Sequence, residues 1–317
     1  MKMIVRYRFF SLVFLLGFLI PDSFSQPPLS LNGFVILDPL VPANEIRRGG
    51  PPRDGIPPIE HPRFLSVAEA EDLMPEDKVL GVVLHGIAKA YPISILDYHE
   101  VVNDVFADQM VSVTYCPLCG SGVAVDGRVG DASSTFGVSG LLYNSDVLLY
   151  DRATESLWSQ LRGEAINGPQ KGTPLTYLPT TTTSWGEWKT AHPETLVLSR
   201  ETGFARDYDR YPYKDYATVE RLYFPVAHQD KRFHPKEWVI GIEHQGVAKA
   251  YPLSLLAKHS STHIQDKING KTIDIRYNPK ANSAQVFDSW GNQMETITLF
   301  WFAWAAFHPE TQVWNQE

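Results

Sequence analysis

The stretch VLGVVLHGIAKAYPISIL at residues 79–96 decides the fold of this chain, because a second copy of it occurs far downstream. The copy at residues 239–256 reads VIGIEHQGVAKAYPLSLL, and its Gly, Ala-Lys-Ala, Tyr-Pro and Ser positions coincide with those of the first. Each copy has a β-branched run, a turn at Gly86 or Gly246, and a short return run ending at Tyr-Pro. This is the pattern of a β-hairpin.

The duplication continues beyond the hairpins. VSVTY at 111–115 aligns with IDIRY at 273–277, and HPET at 192–195 recurs at 308–311. The first copy is enlarged by an insertion at 127–179. We therefore predict an α+β fold, predominantly antiparallel β with short helices, built from two internal repeats of which the first is enlarged by the insertion.

Three local patterns refine this prediction. The apolar spacing from Ser94 to Phe106 indicates a short helix, which Ser94 can cap. A second helix is expected at 185–191, ending before His192-Pro193. In the insertion, Asn144-Ser145-Asp146 separates two apolar runs in the manner of a hairpin loop.

The chain divides into five predicted segments by composition and repetition. They are a signal peptide at 1–25, a Pro/Gly-rich N-terminal arm at 26–75, repeat 1 at 76–203, a Tyr-rich connector at 204–237 and repeat 2 at 238–317.

The first 25 residues have the three parts of a secretory signal peptide. A basic start precedes an apolar run at 9–20, and Ser23 and Ser25 supply small residues before Gln26. The run is shorter than the roughly 20 residues that a spanning helix needs. We expect an exported protein, periplasmic or extracellular, with no membrane span in the mature chain.

The charge argues against a nucleic-acid partner. The net charge is -8, and removing three basic groups and one acidic group with residues 1–25 brings the mature chain near -10 (-8 - 3 + 1). Phosphate binding requires clustered Lys and Arg instead. The small-molecule or protein ligand stays unknown.

The chain has two cysteines, and both lie in Cys116-Pro117-Leu118-Cys119-Gly120. Asn278 and Ala281 occupy the equivalent positions of the second copy, so the duplicated unit folds without thiols. The cysteines are therefore a specialisation of the first copy.

Three segments resemble one known family. TYCPLCG at 114–120, FGVSGLLYNSD at 136–146 and LWSQ at 157–160 closely resemble the family catalogued as domain of unknown function 3179. The resemblance extends over nearly all of the mature chain. It implies no particular activity, because none is assigned to that family, and whether the protein is an enzyme stays open.

The Cys turn is open to three interpretations. Thiolates two residues apart can chelate a soft ion, copper or zinc, and His99 is then the expected third ligand. The same spacing occurs in thiol–disulfide oxidoreductases, although no helix is expected to follow the turn and lower a thiol pKa. The third interpretation is a structural disulfide turn within a non-enzymatic ligand-binding module.

Other side chains could line a pocket beside the thiols, although each also has an ordinary structural role in a turn or in the core. These pocket candidates are Glu100, Tyr143, Asp146, Tyr150, Asp151 and Trp158.

Overall fold

The computed structural model of the protein describes residues 29–129 and 132–315. The predicted signal peptide at 1–25 lies outside the described residues, and so do the first residues of the predicted arm. The strands and helices of the described residues follow in chain order.

The strands are β1 (Leu29–Leu31), β2 (Phe34–Ile36), β3 (Arg47–Arg48), β4 (Phe64–Ser66), β5 (Lys78–Leu84), β6 (Ile87–Pro92), β7 (Val101–Phe106), β8 (Gln109–Cys116), β9 (Ser121–Asp126), β10 (Arg128–Val129), β11 (Ala132–Ser133), β12 (Phe136–Tyr143), β13 (Asp146–Asp151), β14 (Leu157–Ser159), β15 (Glu164–Asn167), β16 (Tyr177–Leu178), β17 (Thr180–Ser184), β18 (Leu196–Leu198), β19 (Trp238–His244), β20 (Val247–Pro252), β21 (His263–Ile268), β22 (Lys271–Asn278), β23 (Ser283–Asp288), β24 (Ile297–Phe300) and β25 (Gln312–Val313). The helices are α1 (Ile93–His99), α2 (Trp185–Ala191), α3 (Leu253–Leu256) and α4 (Trp301–Phe307), with one 3-10 turn at Ala43–Glu45.

Five sheets of three to five strands form the body of residues 29–129 and 132–315. Sheet I has the order β17-β5-β6-β18-β4, sheet II β16-β9-β8-β7, sheet III β15-β14-β13-β12-β3, sheet IV β24-β19-β20-β25 and sheet V β21-β22-β23. Most pairings are antiparallel, and the helices are few and short, as predicted. The five sheets together resemble the blades of a five-bladed β-propeller, an arrangement that the sequence analysis did not predict.

The two duplicated hairpins lie in sheets of the same topology. In sheet I, β17 joins the β5–β6 hairpin antiparallel to β5, and β18 joins it parallel to β6. In sheet IV, β24 and β25 take the same two positions beside β19 and β20. The insertion of the first copy supplies four strands of sheet III, β12 to β15.

The repeated glycine of each hairpin makes room for a repeated tryptophan. A Cβ atom at Gly81 would lie 2.2 Å from the Trp188 ring, and one at Gly241 would lie 2.3 Å from the Trp304 ring. Each indole also donates a hydrogen bond to the Thr of the adjacent HPET segment, at 2.9 Å in the first copy and 2.8 Å in the second. The repeated Gly, Trp and Thr positions therefore serve the scaffold.

The repeated Lys and Tyr form an ion-pair network, which is buried in the first copy and half-buried in the second. Lys89 Nζ lies 2.8 Å from Asp104 Oδ2, and the Tyr91 hydroxyl donates to the same carboxylate at 2.5 Å. Lys249 and Tyr251 have the same relation to one carboxylate in the second copy. Since a charge is buried in proteins only when it is paired, the Ala-Lys-Ala-Tyr motif recurs together with its carboxylate.

The predicted helix from Ser94 to Phe106 was wrong in its second half. Helix α1 ends at His99, because Glu100 adopts a left-handed conformation with φ 58°, and β7 follows at once. The β-branched Val101 and Val102 fit the buried strand better than a second helical turn. Ser94 makes no capping hydrogen bond, and Pro92 stands at the N-cap position.

The other local predictions were confirmed. Helix α2 runs from Trp185 to Ala191 and ends before His192-Pro193. Strands β12 and β13 form the hairpin expected around Asn144-Ser145. The predicted N-terminal arm is built into two sheets, since β3 pairs with β12 and β4 pairs with β18. No helix of the described ranges is long and apolar enough to cross a membrane.

Replacing Gly81 by Ala should destabilise the protein by about 1–3 kcal/mol, because the new methyl group overlaps the Trp188 ring and the core must shift. Denaturant titration measures the change in the free energy of unfolding. Val83→Thr, an exposed substitution of similar shape on the same strand, should change it by less than about 0.5 kcal/mol. Equal effects of the two substitutions would contradict the packing argument.

Candidate metal centre

The two cysteines lie on a tight turn between β8 and β9. Cys116 is the last residue of β8 and pairs with Ser121, the first of β9. The turn is closed by a hydrogen bond from the Cys119 amide to the Cys116 carbonyl at 3.1 Å. Strand β9 follows the turn, as predicted, so no helix begins directly after the two cysteines.

Residues from the second half of the chain pack against this turn. Gly120 has φ +64°, and a Cβ atom there would lie 2.7 Å from the Trp238 ring. The Phe300 amide donates to the Cys119 carbonyl at 2.8 Å. Both sulfurs and these aromatic residues belong to one hydrophobic cluster or pack against it. The turn is therefore fixed by residues of sheet IV as well as by its own strands.

The hairpin of sheet III brings a carboxylate to the thiols. Asn144 and Ser145 both have positive φ, 51° and 63°, and they form a two-residue turn of the kind that hairpins favour. The Ser145 carbonyl at this turn accepts from Cys119 Sγ at 3.4 Å and from Cys116 Sγ at 3.8 Å. Asp146, the next residue, starts β13 beside the two sulfurs.

Cys116, Cys119 and Asp146 form a group able to hold a metal ion. One ligand atom of each residue lies within 4.8 Å of the others. The residues are 2 %, 0 % and 0 % exposed. Asp146 Oδ2 accepts from the Leu161 amide at 3.0 Å, whereas its Oδ1 has no hydrogen-bond partner among the described residues. The thiols thus share their site with a carboxylate that has one free oxygen.

Burial shifts all three groups toward their neutral forms. It raises the pKa of Asp146 to about 7, and it raises the pKa of Cys116 and, further, that of Cys119 above the usual thiol range. A neighbouring carboxyl, Glu100, has its pKa raised to about 8 for the same reason. Desolvation penalises each negative charge, and the charges also repel one another. These four groups therefore form a buried acidic site.

The Tyr-rich connector covers this site. Tyr216 is fully buried in the cluster that contains both sulfurs, and Lys236 Nζ lies 3.7 Å from the centroid of the Tyr216 ring. Lys236 donates to the carbonyls of Val219 and Arg221, both at 3.2 Å. Burial lowers the pKa of Lys236 to about 8, and the nearby Cys119 acts in the opposite direction. A buried ammonium group therefore stands beside the acidic site.

The LWSQ segment ties together the strands that carry the Cys turn. Gln160 accepts from the Ser121 hydroxyl at 2.6 Å and donates to the Thr114 hydroxyl at 2.8 Å. The connector is tied to the hairpin in turn, since the Ala227 amide donates to Asn144 Oδ1 at 2.8 Å. These contacts hold the relative positions of sheets II and III and of the connector.

His99, the expected third ligand, is engaged elsewhere. Its Nδ1 bonds to the Pro57 carbonyl at 2.8 Å, and its Nε2 bonds to the Tyr208 hydroxyl at 2.6 Å. The imidazole is buried, and burial lowers its pKa. With Nδ1 donating to the carbonyl and Nε2 accepting from the hydroxyl, neither nitrogen is free to bind a metal ion. Asp146, rather than His99, is the residue grouped with the two sulfurs.

Glu100 lies near the thiols but outside the group of three. Its carboxyl group is buried, and its closest hydrogen-bond donor is the Tyr213 hydroxyl at 3.5 Å. A charge on Glu100 would raise the pKa of Cys116, and a charge on Asp146 would raise that of Glu100. Glu100 thus affects the pKa values of the neighbouring groups, but it is not one of the three grouped residues.

Asp151 and Trp158 have ordinary structural roles, in a turn and in the core, rather than lining a pocket. Asp151 accepts from the Thr154 amide at 2.6 Å, the Ser156 amide at 3.2 Å and the Trp158 indole at 2.9 Å. Its carboxylate therefore fixes the turn between β13 and β14. The Trp158 ring packs in the cluster that also holds the sulfurs.

Tyr143 and Tyr150 do not line the thiol site. Both belong to a separate hydrophobic cluster with the N-terminal residues Phe34 and Ile36. The Tyr150 hydroxyl donates to Asp54 at 2.5 Å. Of the six pocket candidates, only Asp146 joins the sulfurs directly.

Several residues of the site are not predicted by the sequence. They are Ser145, Gln160, Tyr213, Tyr216 and Lys236. Two signals pointed toward them: Ser145 and Gln160 lie in the segments that carried the family resemblance, and the tyrosines lie in the connector. Their distance from the cysteines in the chain hid their common location.

Comparison with known proteins gives one match. The family model described as "Protein of unknown function (DUF3179)" matches residues 53–311. No curated protein and no solved structure matches the chain.

The metal-free protein should lose stability as the pH rises from about 4 to about 8. The pKa values of Asp146 and Glu100 are raised from 3.8 and 4.5 to about 7 and about 8. In this window the folded protein binds more protons than the unfolded chain, so the free energy of unfolding falls with pH, by at most about 1.4 kcal/mol per pH unit for each carboxyl.

Denaturant titrations in the presence of a chelator measure this slope. Asp146→Asn and Glu100→Gln should each flatten it. A metal-free protein whose stability increases through this window would contradict the buried acidic site.

Proposed function

Since the chain belongs to the DUF3179 family, whose description assigns no activity, we propose from the geometry that it binds one zinc or copper ion through Cys116, Cys119 and Asp146. The observation that carries the proposal is that their three ligand atoms are buried within 4.8 Å of one another. Tetrahedral zinc with bonds of about 2.0–2.3 Å places neighbouring ligand atoms roughly 3.3–3.8 Å apart. The group needs only small side-chain adjustments to reach that geometry.

The electrostatics of the site support a cation. Two thiols and two carboxyls are buried together, and desolvation by burial raises the pKa of all four. A bound cation lowers these pKa values, since it stabilises the thiolates and the carboxylate and releases their protons. The free Oδ1 of Asp146 is the kind of buried polar atom that a ligand is expected to satisfy.

Zinc is favoured over copper by the donor set. Zinc is bound by both thiolates and carboxylates in proteins, whereas Cu(I) selects soft sulfur ligands. The site offers two sulfurs and one oxygen, and His99 is not available to either metal.

Export of the protein is part of the proposal. The basic start, the apolar run at 9–20 and the small residues before Gln26 support a signal peptide. In an oxidising compartment, neighbouring thiols tend to form a disulfide. A metal ion bound to both sulfurs, together with their burial, would keep them reduced.

Thiol–disulfide exchange is less well supported. The sulfurs of Cys116 and Cys119 are not bonded to each other and are buried, and the pKa of each thiol is raised. An attacking cysteine needs a lowered pKa and access to its substrate. The protein should therefore give no turnover in an insulin-reduction assay above the level of a Cys116→Ser/Cys119→Ser variant; turnover that depends on the thiols would favour the oxidoreductase.

Protein purified from the periplasm should contain close to one zinc or copper ion per chain, and the Cys116→Ser/Cys119→Ser variant should contain almost none. Asp146→Asn should weaken the affinity by about tenfold or more, because a ligand is lost while the thiols remain. Elemental analysis and competition with a chromogenic chelator measure both quantities.

Asp151→Asn is the matched control, since it removes a buried carboxylate from the other end of the same strand without touching the sulfurs. Its metal content should equal that of the wild type. Equal metal content in the wild type and the double cysteine variant would refute the proposal and leave the turn as a structural element.

A further inference from the structure

Two buried polar atoms at the thiol site have no partner. Asp146 Oδ1 and the Tyr216 hydroxyl make no hydrogen bond among the described residues, and both residues are 0 % exposed. An orphaned buried hydroxyl costs roughly 1–3 kcal/mol, so native proteins rarely keep one without a reason. A metal ion accounts for Asp146 Oδ1, but it does not by itself account for the Tyr216 hydroxyl.

The Tyr216 hydroxyl belongs to the same site as the sulfurs. Tyr216 packs in the cluster that holds Cys116 and Cys119. Burial raises the pKa of Tyr216, and charges on Cys119 and Cys116 raise it further, so the hydroxyl and the sulfurs interact electrostatically. At neutral pH the hydroxyl keeps its proton and is available as a donor.

The protein supplies three ligands in the described part of the chain. Asp146 is the one carboxylate that groups with the two sulfurs. His99 uses both ring nitrogens for other contacts, and Glu100 faces Tyr213. Structural zinc sites have four protein ligands, whereas catalytic zinc sites have three and leave the fourth position to water or substrate.

Resting on the proposed metal site, we infer that its fourth coordination position is open to a small non-protein ligand. Water occupies this position at rest, and a small anion replaces it. The Tyr216 hydroxyl donates a hydrogen bond to the bound ligand. The centre is thus of the kind that performs chemistry on a ligand rather than one that only stabilises a turn.

The surrounding charge agrees with a small anion as ligand. Two thiolates and the Asp146 carboxylate carry three negative charges, and a divalent ion leaves one. The ammonium group of Lys236, held at the Tyr216 ring and near Cys119, offsets that remaining charge. A singly charged anion therefore meets no net repulsion at the centre. Lys236 donates to two carbonyl oxygens, and its ammonium group lies over the Tyr216 ring.

Cobalt(II) substitution tests the open position. Co(II) reports thiolate ligation by charge-transfer absorption, and its visible bands change with the number and nature of the ligands. Azide, a small anion that accepts hydrogen bonds, is titrated into the Co(II) protein. We expect the visible bands to shift with a saturable dependence on azide concentration.

Tyr216→Phe removes the proposed hydrogen bond and keeps the packed ring. It should weaken azide binding by about five- to tenfold, as expected for one hydrogen bond, without changing the Co(II) content. Tyr223→Phe is the matched control, because the Tyr223 ring packs against Tyr216 with ring centroids 4.4 Å apart, while the Tyr223 hydroxyl donates to the Tyr213 carbonyl. It should leave the azide affinity unchanged.

The outcomes separate this inference from the function on which it rests. If the protein binds Co(II) through thiolates but azide does not change its visible bands, the site is closed and the inference is wrong. If the wild type and Tyr216→Phe bind azide with equal affinity, the Tyr216 hydroxyl does not donate to the bound ligand. Absence of thiolate-to-cobalt absorption in the wild type overturns the proposed metal site, and the open position with it.

Discussion

Two thiols and a carboxylate are held together away from water, and the rest of this structure is arranged around that constraint. Burial raises the pKa of each of these groups and shifts each toward its neutral form. Desolvation of negative charge is among the largest unfavourable terms in a protein interior. The metal ion that we propose would supply the positive charge that compensates these groups when they ionise.

The site is assembled from parts of the chain that are far apart in sequence. The turn after β8 supplies the sulfurs, the β12–β13 hairpin of the insertion supplies Asp146, and the connector supplies Tyr216 and Lys236. Among the described residues, the second copy adds no side chain to the group of three, but Trp238 and Phe300 fix the shape of the Cys turn. Duplication thus gave the protein a scaffold, and specialisation of one copy gave it a site.

Comparison of the two copies separates these two roles in physical terms. The Gly–Trp contacts and the Lys–Asp–Tyr networks occur in both sheets I and IV, because the two sheets have the same topology and pack the same side chains. The thiols and the buried carboxylate beside them occur once. Residues present in both copies therefore report on stability, whereas those present in one report on function.

The sequence by itself determined the antiparallel β character, the duplicated hairpins, helix α2, the Asn144-Ser145 turn and the Cys turn between strands. All of these depend on local periodicity or turn chemistry, which a few neighbouring residues specify. It identified the cysteines as the centre of the site, and it included Asp146 among the candidates without ranking it above the others.

Only the tertiary structure decided which side chains join the sulfurs. His99 lies closer to the cysteines in the chain than Asp146 does, yet its two ring nitrogens are bonded to Pro57 and Tyr208, whereas the hairpin turn delivers Asp146. The five-sheet arrangement and the covering connector were equally beyond local reasoning. Contacts between distant segments depend on how whole sheets pack, and no local pattern in the chain records that packing.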